Sequence, residues 1–254
     1  MYFDIEGSSV RLGGTLHWVP KGYPMAHWVH DAIEWARLIY LEHDEQESIQ
    51  GRKAPAGSQP LPQRLPRSWP RILLKYAFDR VRMQHLASLR PFALTSEVLD
   101  PVPTDEGAEH LAIARSKETQ PPGPQLKYLE TAAQSYALAE SVSDAVWDDA
   151  VNWALDNASS FRNVLETSYG AWVDGDVEEV DRINSLHTRA RFAPIKHAVI
   201  TERNCLWLPT IRDLAESADE PTLVLVGAAH LGGADGLLSQ LAAGGFGLTA
   251  AARQ

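Results

Sequence analysis

Two short segments of this chain share one pattern, an apolar run that closes on Gly-x-x-His. Residues 10–12 lead into Gly14-Thr15-Leu16-His17, and residues 222–226 lead into Gly227-Ala228-Ala229-His230. A strand that ends in Gly lets the backbone turn sharply and leaves the next side chains at its carboxyl end, where open α/β sheets bind ligands. Imidazoles delivered there could share one divalent ion, with Zn, Mn or Co the metals that suit nitrogen and carboxylate donors. Such an ion lowers the pKa of a bound water and polarises a carbonyl. Two further strand-like segments, 38–41 and 126–129, end at Glu42 and Glu130. The candidate metal ligands are therefore His17, His230 and Glu42. The candidate catalytic groups are Glu42 and Glu130 for proton transfer and Arg203 for a developing oxyanion. Taken singly, each residue has a structural alternative: a hydrogen-bonded histidine, a capping Glu42, a Glu130 that opens a helix, an Arg203 paired with either carboxylate. The matched contexts of the two histidines favour a shared site. A phosphate loop is the rival for the turn at Leu231-Gly232-Gly233, which lacks the Gly-Lys-Ser/Thr ending.

These side chains need a sheet to hold them. Apolar positions Met25, Trp28, Val29, Ala32, Ile33 and Ala36 keep helical spacing, so the order over 10–41 reads strand, helix, strand, the unit of a parallel sheet. The polar face of that helix, His27, His30, Asp31 and Glu34, points away from the core. Residues 51–70 carry five prolines and read as an extended connector. The pattern then predicts one long helix over 72–89, stopped by Pro91, a short helix over 110–117, and a third strand over 126–129. Residues 132–190 read as a helical insertion, broken near Ser143, Ser159 and Asp174-Gly175. A helix over 195–216 returns the chain to the sheet, and a last strand spans 246–250. The expected fold class is α/β, with a mixed, largely parallel central sheet flanked by helices and a mostly helical insertion.

The chain has 254 residues and a formal net charge of -10, which disfavours nucleic acid as a partner because phosphate neutralisation needs a basic surface. The basic row Arg64, Arg67, Arg71, Lys75, Arg80, Arg82 and Arg90 reads as a solvated helix face. Cys205 is the single cysteine, so no internal disulfide exists, and its apolar neighbours suggest a buried thiol. The opening Met-Tyr-Phe-Asp-Ile-Glu has neither the basic start nor the apolar run of a signal peptide, and no run reaches the roughly 20 apolar residues of a membrane span. The expectation is a cytoplasmic protein with no membrane partner.

Six motifs in order resemble the TraB/GumN family, which includes the Tiki metalloproteases. Gly14-Thr15-Leu16-His17 with Pro20 is similar to its opening motif, and Leu41-Glu42 to its second-strand glutamate. Leu129-Glu130-Thr131 with Gln134, Trp172 with Gly175-Asp176, Glu202-Arg203-Asn204 and the closing Gly227-Ala228-Ala229-His230 complete the series. The resemblance spans residues 1–254 as a single domain, with 51–125 as a variable Pro- and Arg-rich segment. It implies a fold like that of erythromycin esterase and ChaN, and metal-dependent hydrolysis of peptide or other amide or ester bonds. It adds Thr15, Glu202, Asn204 and Gln134 as substrate-binding groups. Pheromone-restraining relatives imply an alternative, a non-catalytic binder of a peptide or small ligand in the same cleft. Heme binding, known among ChaN relatives, lacks a separate ligand signature here. Metal identity, substrate and oligomeric state stay open at this level.

Overall fold

The computed structural model describes residues 1–119, 121–187 and 190–250. Strand β1 (Tyr2–Ile5) turns at Gly7, which takes the left-handed conformation open to glycine, and returns as β2 (Val10–Thr15). The short β3 (Trp18–Pro20) follows, then helix α1 (His27–Trp35) and β4 (Leu38–Leu41). A helical stretch comes next: α2 (Glu45–Gly51), α3 (Leu61–Arg64), α4 (Trp69–Lys75), α5 (Arg80–Ala87) and α6 (Pro91–Glu97). Strand β5 (Thr104–Glu106) pairs with β3, and α7 (Ala108–Ser116) leads to β6 (Gln125–Tyr128). Four helices follow, α8 (Ala132–Ser141), α9 (Asp144–Asp156), α10 (Phe161–Asp174) and α11 (Val177–His187). The chain then passes through α12 (Ala193–Lys196), α13 (Glu202–Ser217), β7 (Thr222–Gly227), α14 (Leu237–Ala243) and β8 (Leu248–Ala250).

Six strands form one mixed, largely parallel sheet in the order β6-β4-β7-β2-β1-β8, with helices around it. Strand β7 lies between two parallel neighbours and all six of its residues are buried, which is why its sequence runs apolar without alternation. The register pairs Thr15 with Gly227, so both Gly-x-x-His segments leave the sheet side by side. On the other flank of β7 the ladder continues past β4 and β6, Glu130 N–H donating to the Glu42 carbonyl at 3.0 Å, so these two glutamates also emerge together. The core on the sheet takes Val29, Ala32 and Ile33 from α1, Trp172 from α10, Trp207 and Ile211 from α13, and Leu237 and Leu241 from α14.

A second apolar core corrects several sequence expectations. Residues 51–70 are not a bare connector: Leu61, Leu65 and Trp69 are buried with Ile72, Leu86 and Leu94 against Trp147, Ala150 and Val151 of α9. The region 51–100 and the first helices of 132–190 therefore share one core, and residues 188 and 189 of the expected insertion lie outside the described residues. The single helix over 72–89 is two, because Asp79 caps α5 by accepting from Arg82 N–H at 2.8 Å, a role that an aspartate fills better than a helix interior. Pro91 opens α6 at its first position, where its missing N–H is harmless, instead of ending a helix. The expected helix over 195–216 carries a π-helical turn at His197–Thr201 just before Arg203. Most of the basic row is paired: Arg64 holds Asp144 with two bonds of 2.9 and 2.7 Å, Arg71 meets Asp156 at 2.5 Å and Lys75 meets Asp100 at 2.8 Å. Cys205 is exposed, since α13 turns Arg203, Asn204 and Trp207 inward. Among the described residues no helix is long and apolar enough to cross a membrane.

Asp148 joins the two halves of this second core. Its buried carboxylate accepts from Ser68 N–H at 2.8 Å, Ser68 Oγ–H at 2.5 Å and Arg67 N–H at 3.0 Å, capping the approach to α4. Burial pushes its pKa up, but these donors outweigh burial and hold it below the usual carboxylate value. Asp148→Asn sets an amide donor against two of those donors and should cost about 3 kcal/mol, seen as a fall in Tm of roughly 5–10 °C. Because the folded pKa is depressed, this stability is present above the unfolded carboxylate pKa and is lost as the pH falls through the folded one. Wild type should thus lose its advantage over the variant in acid; equal melting at neutral pH would disprove the role.

Candidate active site

Gly14 and Gly227 fix how the two histidine segments meet. A Cβ at Gly14 would lie 2.6 Å from Leu231 Cδ1 and 3.2 Å from Ala228 Cα, so only glycine lets the turn after β7 pack against the end of β2. Trp172 pins the same point, its indole N–H donating to the Gly14 carbonyl at 2.7 Å. A Cβ at Gly227 would lie 3.6 Å from His17 Nε2, 3.6 Å from His230 Cδ2 and 3.3 Å from Glu42 Oε1. The two imidazoles and Glu42 therefore surround one small space above Gly227.

Each imidazole is held through Nδ1. His230 Nδ1 is 2.7 Å from Asn204 Oδ1, and the Asn204 amide group donates to the carbonyls of His230 and Asp235 at 3.1 and 2.9 Å. Those two donations fix the Asn204 oxygen as the acceptor, so His230 carries its proton on Nδ1 and its lone pair on Nε2. Burial lowers the His230 pKa to about 3, with Arg203 adding to the effect and Glu42 opposing it. His17 Nδ1 is 3.1 Å from Glu109 Oε1, and the same carboxylate accepts the Thr15 hydroxyl. Glu109 raises the His17 pKa to about 9 against the opposing effect of burial. The side chain is nonetheless 61 % exposed, so solvent screens the pair. Burial pushes the Glu109 pKa up, but His17 and Thr15 hold it low.

Arg203 ties the carboxylates together. Its Nη2 donates to Glu42 Oε2 at 2.5 Å, its Nε donates to Glu130 Oε1 at 2.7 Å, and its Nη1 lies 3.4 Å from His230 Nε2. Glu42 Oε1 also accepts Gly227 N–H at 2.6 Å. Burial would raise the Glu42 pKa, but Arg203 and the facing imidazoles outweigh it and Glu42 stays ionised well below the usual range. Burial raises the Glu130 pKa and Arg203 offsets it only in part, in keeping with a buried Oε2 that has no protein partner. The Trp207 ring, wholly buried, lies under both Arg203 and His230, each 4.6 Å from its centroid.

A profile of the TraB/PrgY/gumN family matches residues 3–250. The chain belongs to this family. No curated protein and no solved structure matches it. In this TraB/PrgY/gumN chain His17, His230 and Glu42 converge, and Arg203 reaches both His230 and Glu42. Glu130 meets Arg203 but forms no bond to either imidazole. The four expected substrate-binding residues make the following contacts. Thr15 and Asn204 are buried and orient Glu109 and His230, Gln134 closes a capping box with Thr131, and Glu202 faces outward to pair with His197 at 2.8 Å. Glu109 and Trp207 are site residues that the sequence pattern did not mark. Trp207 sits four residues after Arg203, the spacing of one helix face, and was open to inference. Glu109 was not, because its Thr15 partner is 94 positions away.

Both imidazoles have Nδ1 anchored on a side-chain acceptor and the opposite ring edge toward the space over Gly227, the arrangement of metal-ligating histidines. Among the described residues, however, no three His, Cys, Asp or Glu side chains form a complete cage. The two histidines are of a ligand type that suits a divalent ion, but Arg203 Nη1 lies 3.4 Å from His230 Nε2, and Glu42, engaged by Arg203 and Gly227, is not placed as a finished third ligand.

Gly107 lets Glu109 approach, since a Cβ there would strike the carbonyl oxygens of Leu16 and His17. Glu109→Gln should lower the His17 pKa from about 9 toward its ordinary 6.5, read by NMR titration of the imidazole. The raised folded pKa stabilises the protein below the unfolded value of 6.5 and that stability fades as the pH rises through about 9, so the variant should lose most stability at lower pH. An unmoved His17 titration would show that Glu109 does not act on it.

Proposed function

We propose that this protein is a metal-dependent hydrolase of peptide or other amide or ester bonds. The observation that carries the reading is the pair of imidazoles, each fixed at Nδ1 and facing one space beside an ionised Glu42 and the Arg203 guanidinium. His17 and His230 would hold the ion through Nε2. When bound, the ion supplies an acidified water and a polarised carbonyl. The two oxygens of Glu42 offer about four acceptor sites, so Arg203 and Gly227 leave room for a water whose proton Glu42 takes. Arg203, fixed by two carboxylates and Trp207, presents positive charge where a carbonyl oxygen becomes an oxyanion. Family membership supports this reading at the level of the fold and motifs and leaves the reaction to experiment.

A second reading, a non-catalytic binder of peptides or small ligands, draws on the buried Glu42–Arg203–Glu130 network, which also suits a purely structural ion pair. Chelator-stripped protein reloaded with Mn, Co or Zn should hold metal that His17→Ala/His230→Ala loses; equal content in both would sink the metal site. A peptide library incubated with each metal should be cleaved by wild type. Glu42→Gln should lower turnover about 10²-fold or more while ligand binding persists. Saturable binding with no metal-stimulated turnover in wild type would favour the second reading.

A further inference from the structure

Beside His17 a cavity of about 470 Å³ opens between the end of the sheet and the second core. That is within the range of small-ligand sites and larger than one side chain requires. Its walls include Leu16, Trp147, Trp153, Leu165 and Phe192, and among the described residues that line it His17 is the one that is ionisable. Several polar groups on the lining bond to nearby backbone. Thr95 Oγ–H donates to the Phe92 carbonyl at 2.8 Å, Ser160 Oγ–H to the Asn157 carbonyl at 2.8 Å, and the Asn157 amide to the Trp153 carbonyl at 2.8 Å. The Trp147 indole N–H likewise points away, to the Ala139 carbonyl at 3.0 Å, so its ring offers apolar surface to the cavity.

We infer that this cavity binds an uncharged apolar group, an aromatic ring or an aliphatic chain, carried by the substrate next to the carbonyl that meets His17. Among the described lining residues a charged group entering would find only the His17 ring as a counter-charge for the hydration it loses, whereas an apolar group removes aromatic wall from water. The substrate assignment rests on the hydrolase reading; binding of the apolar group does not. Ala150 and Ala154 lie one turn apart on the face of α9 that lines the cavity, so their small size keeps it open.

The test uses the uncharged fluorophore N-phenyl-1-naphthylamine with the full chain. Wild type should bind it saturably, and Ala154→Phe should weaken binding at least about tenfold by filling the space, with an unchanged thermal melt. Ala150→Phe serves if Ala154→Phe does not fold. In parallel, acetyl, hexanoyl and phenylacetyl esters are assayed with added metal. kcat/KM should rise about tenfold or more with the larger apolar groups and flatten in the variant, while the acetyl ester reacts as in wild type. Probe binding lost on filling the cavity, with no ester turned over, would keep the cavity assignment and sink the hydrolase. Turnover indifferent to the apolar group, or no saturable probe binding to wild type, would overturn the inference.

Discussion

The guanidinium of Arg203 is where the walls of the site meet. It reaches Glu42 after β4, Glu130 after β6 and His230 after β7, and the other oxygen of Glu42 reaches the last amide of β7. Three strand ends and α13 are thereby fixed around one buried cation. Removing that cation would leave two buried carboxylates without their partner, a loss on the order of 3–5 kcal/mol. The same arithmetic of charge, one guanidinium against two carboxylates, separates their behaviour. Glu42, with a backbone amide and two imidazoles as well, stays ionised, whereas Glu130, more dependent on Arg203, is pushed toward its neutral form.

Close approach is the second constraint. Gly14 permits the turn after β7 to touch β2, Gly227 leaves open the space between the imidazoles, and Gly107 lets α7 lie on the backbone of Leu16 and His17. None of these three glycines needs a left-handed backbone; at Gly14 and Gly107 a Cβ would clash, and at Gly227 it would fill the space between the imidazoles. The Gly-x-x-His pattern thus combines a gap at the strand end with a side chain that returns over it.

The two chain segments inserted between the strands build a common structure. Residues 51–100 and helices α8 and α9 share an apolar core, joined at their edges by Arg64–Asp144 and by the buried Asp148. This lobe stands against the His17 side of the sheet and forms much of the cavity wall. The groups of the candidate site come mainly from the strand ends, and the adjoining space comes mainly from helices, so the two can vary separately in such a fold.

The centre of the sheet was legible in the sequence because the buried parallel strands β4 and β7 read as apolar runs bounded by Gly and charge, whereas β6 is a mostly exposed edge strand. The expected runs at 38–41, 126–129 and 222–226 correspond to β4, β6 and β7 to within a residue or two. The residues at the ends of those runs were legible for the same reason, since a strand's end fixes where the next side chain stands. The helical segments were less so. Proline at 91 and aspartate at 79 carry opposite meanings at a helix start and in its interior, and only packing against α9 selects between them. The sequence by itself marked β2, β4, β6, β7 and β8, the two histidine segments and the candidates Glu42 and Arg203, but not β1, β3 or β5. Only the tertiary structure decided that Glu109 orients His17, that Thr15 and Asn204 serve inward, and that Glu130 stops at Arg203. Those roles depend on contacts between distant segments, and local periodicity carries no record of which distant side chain will complete a hydrogen bond.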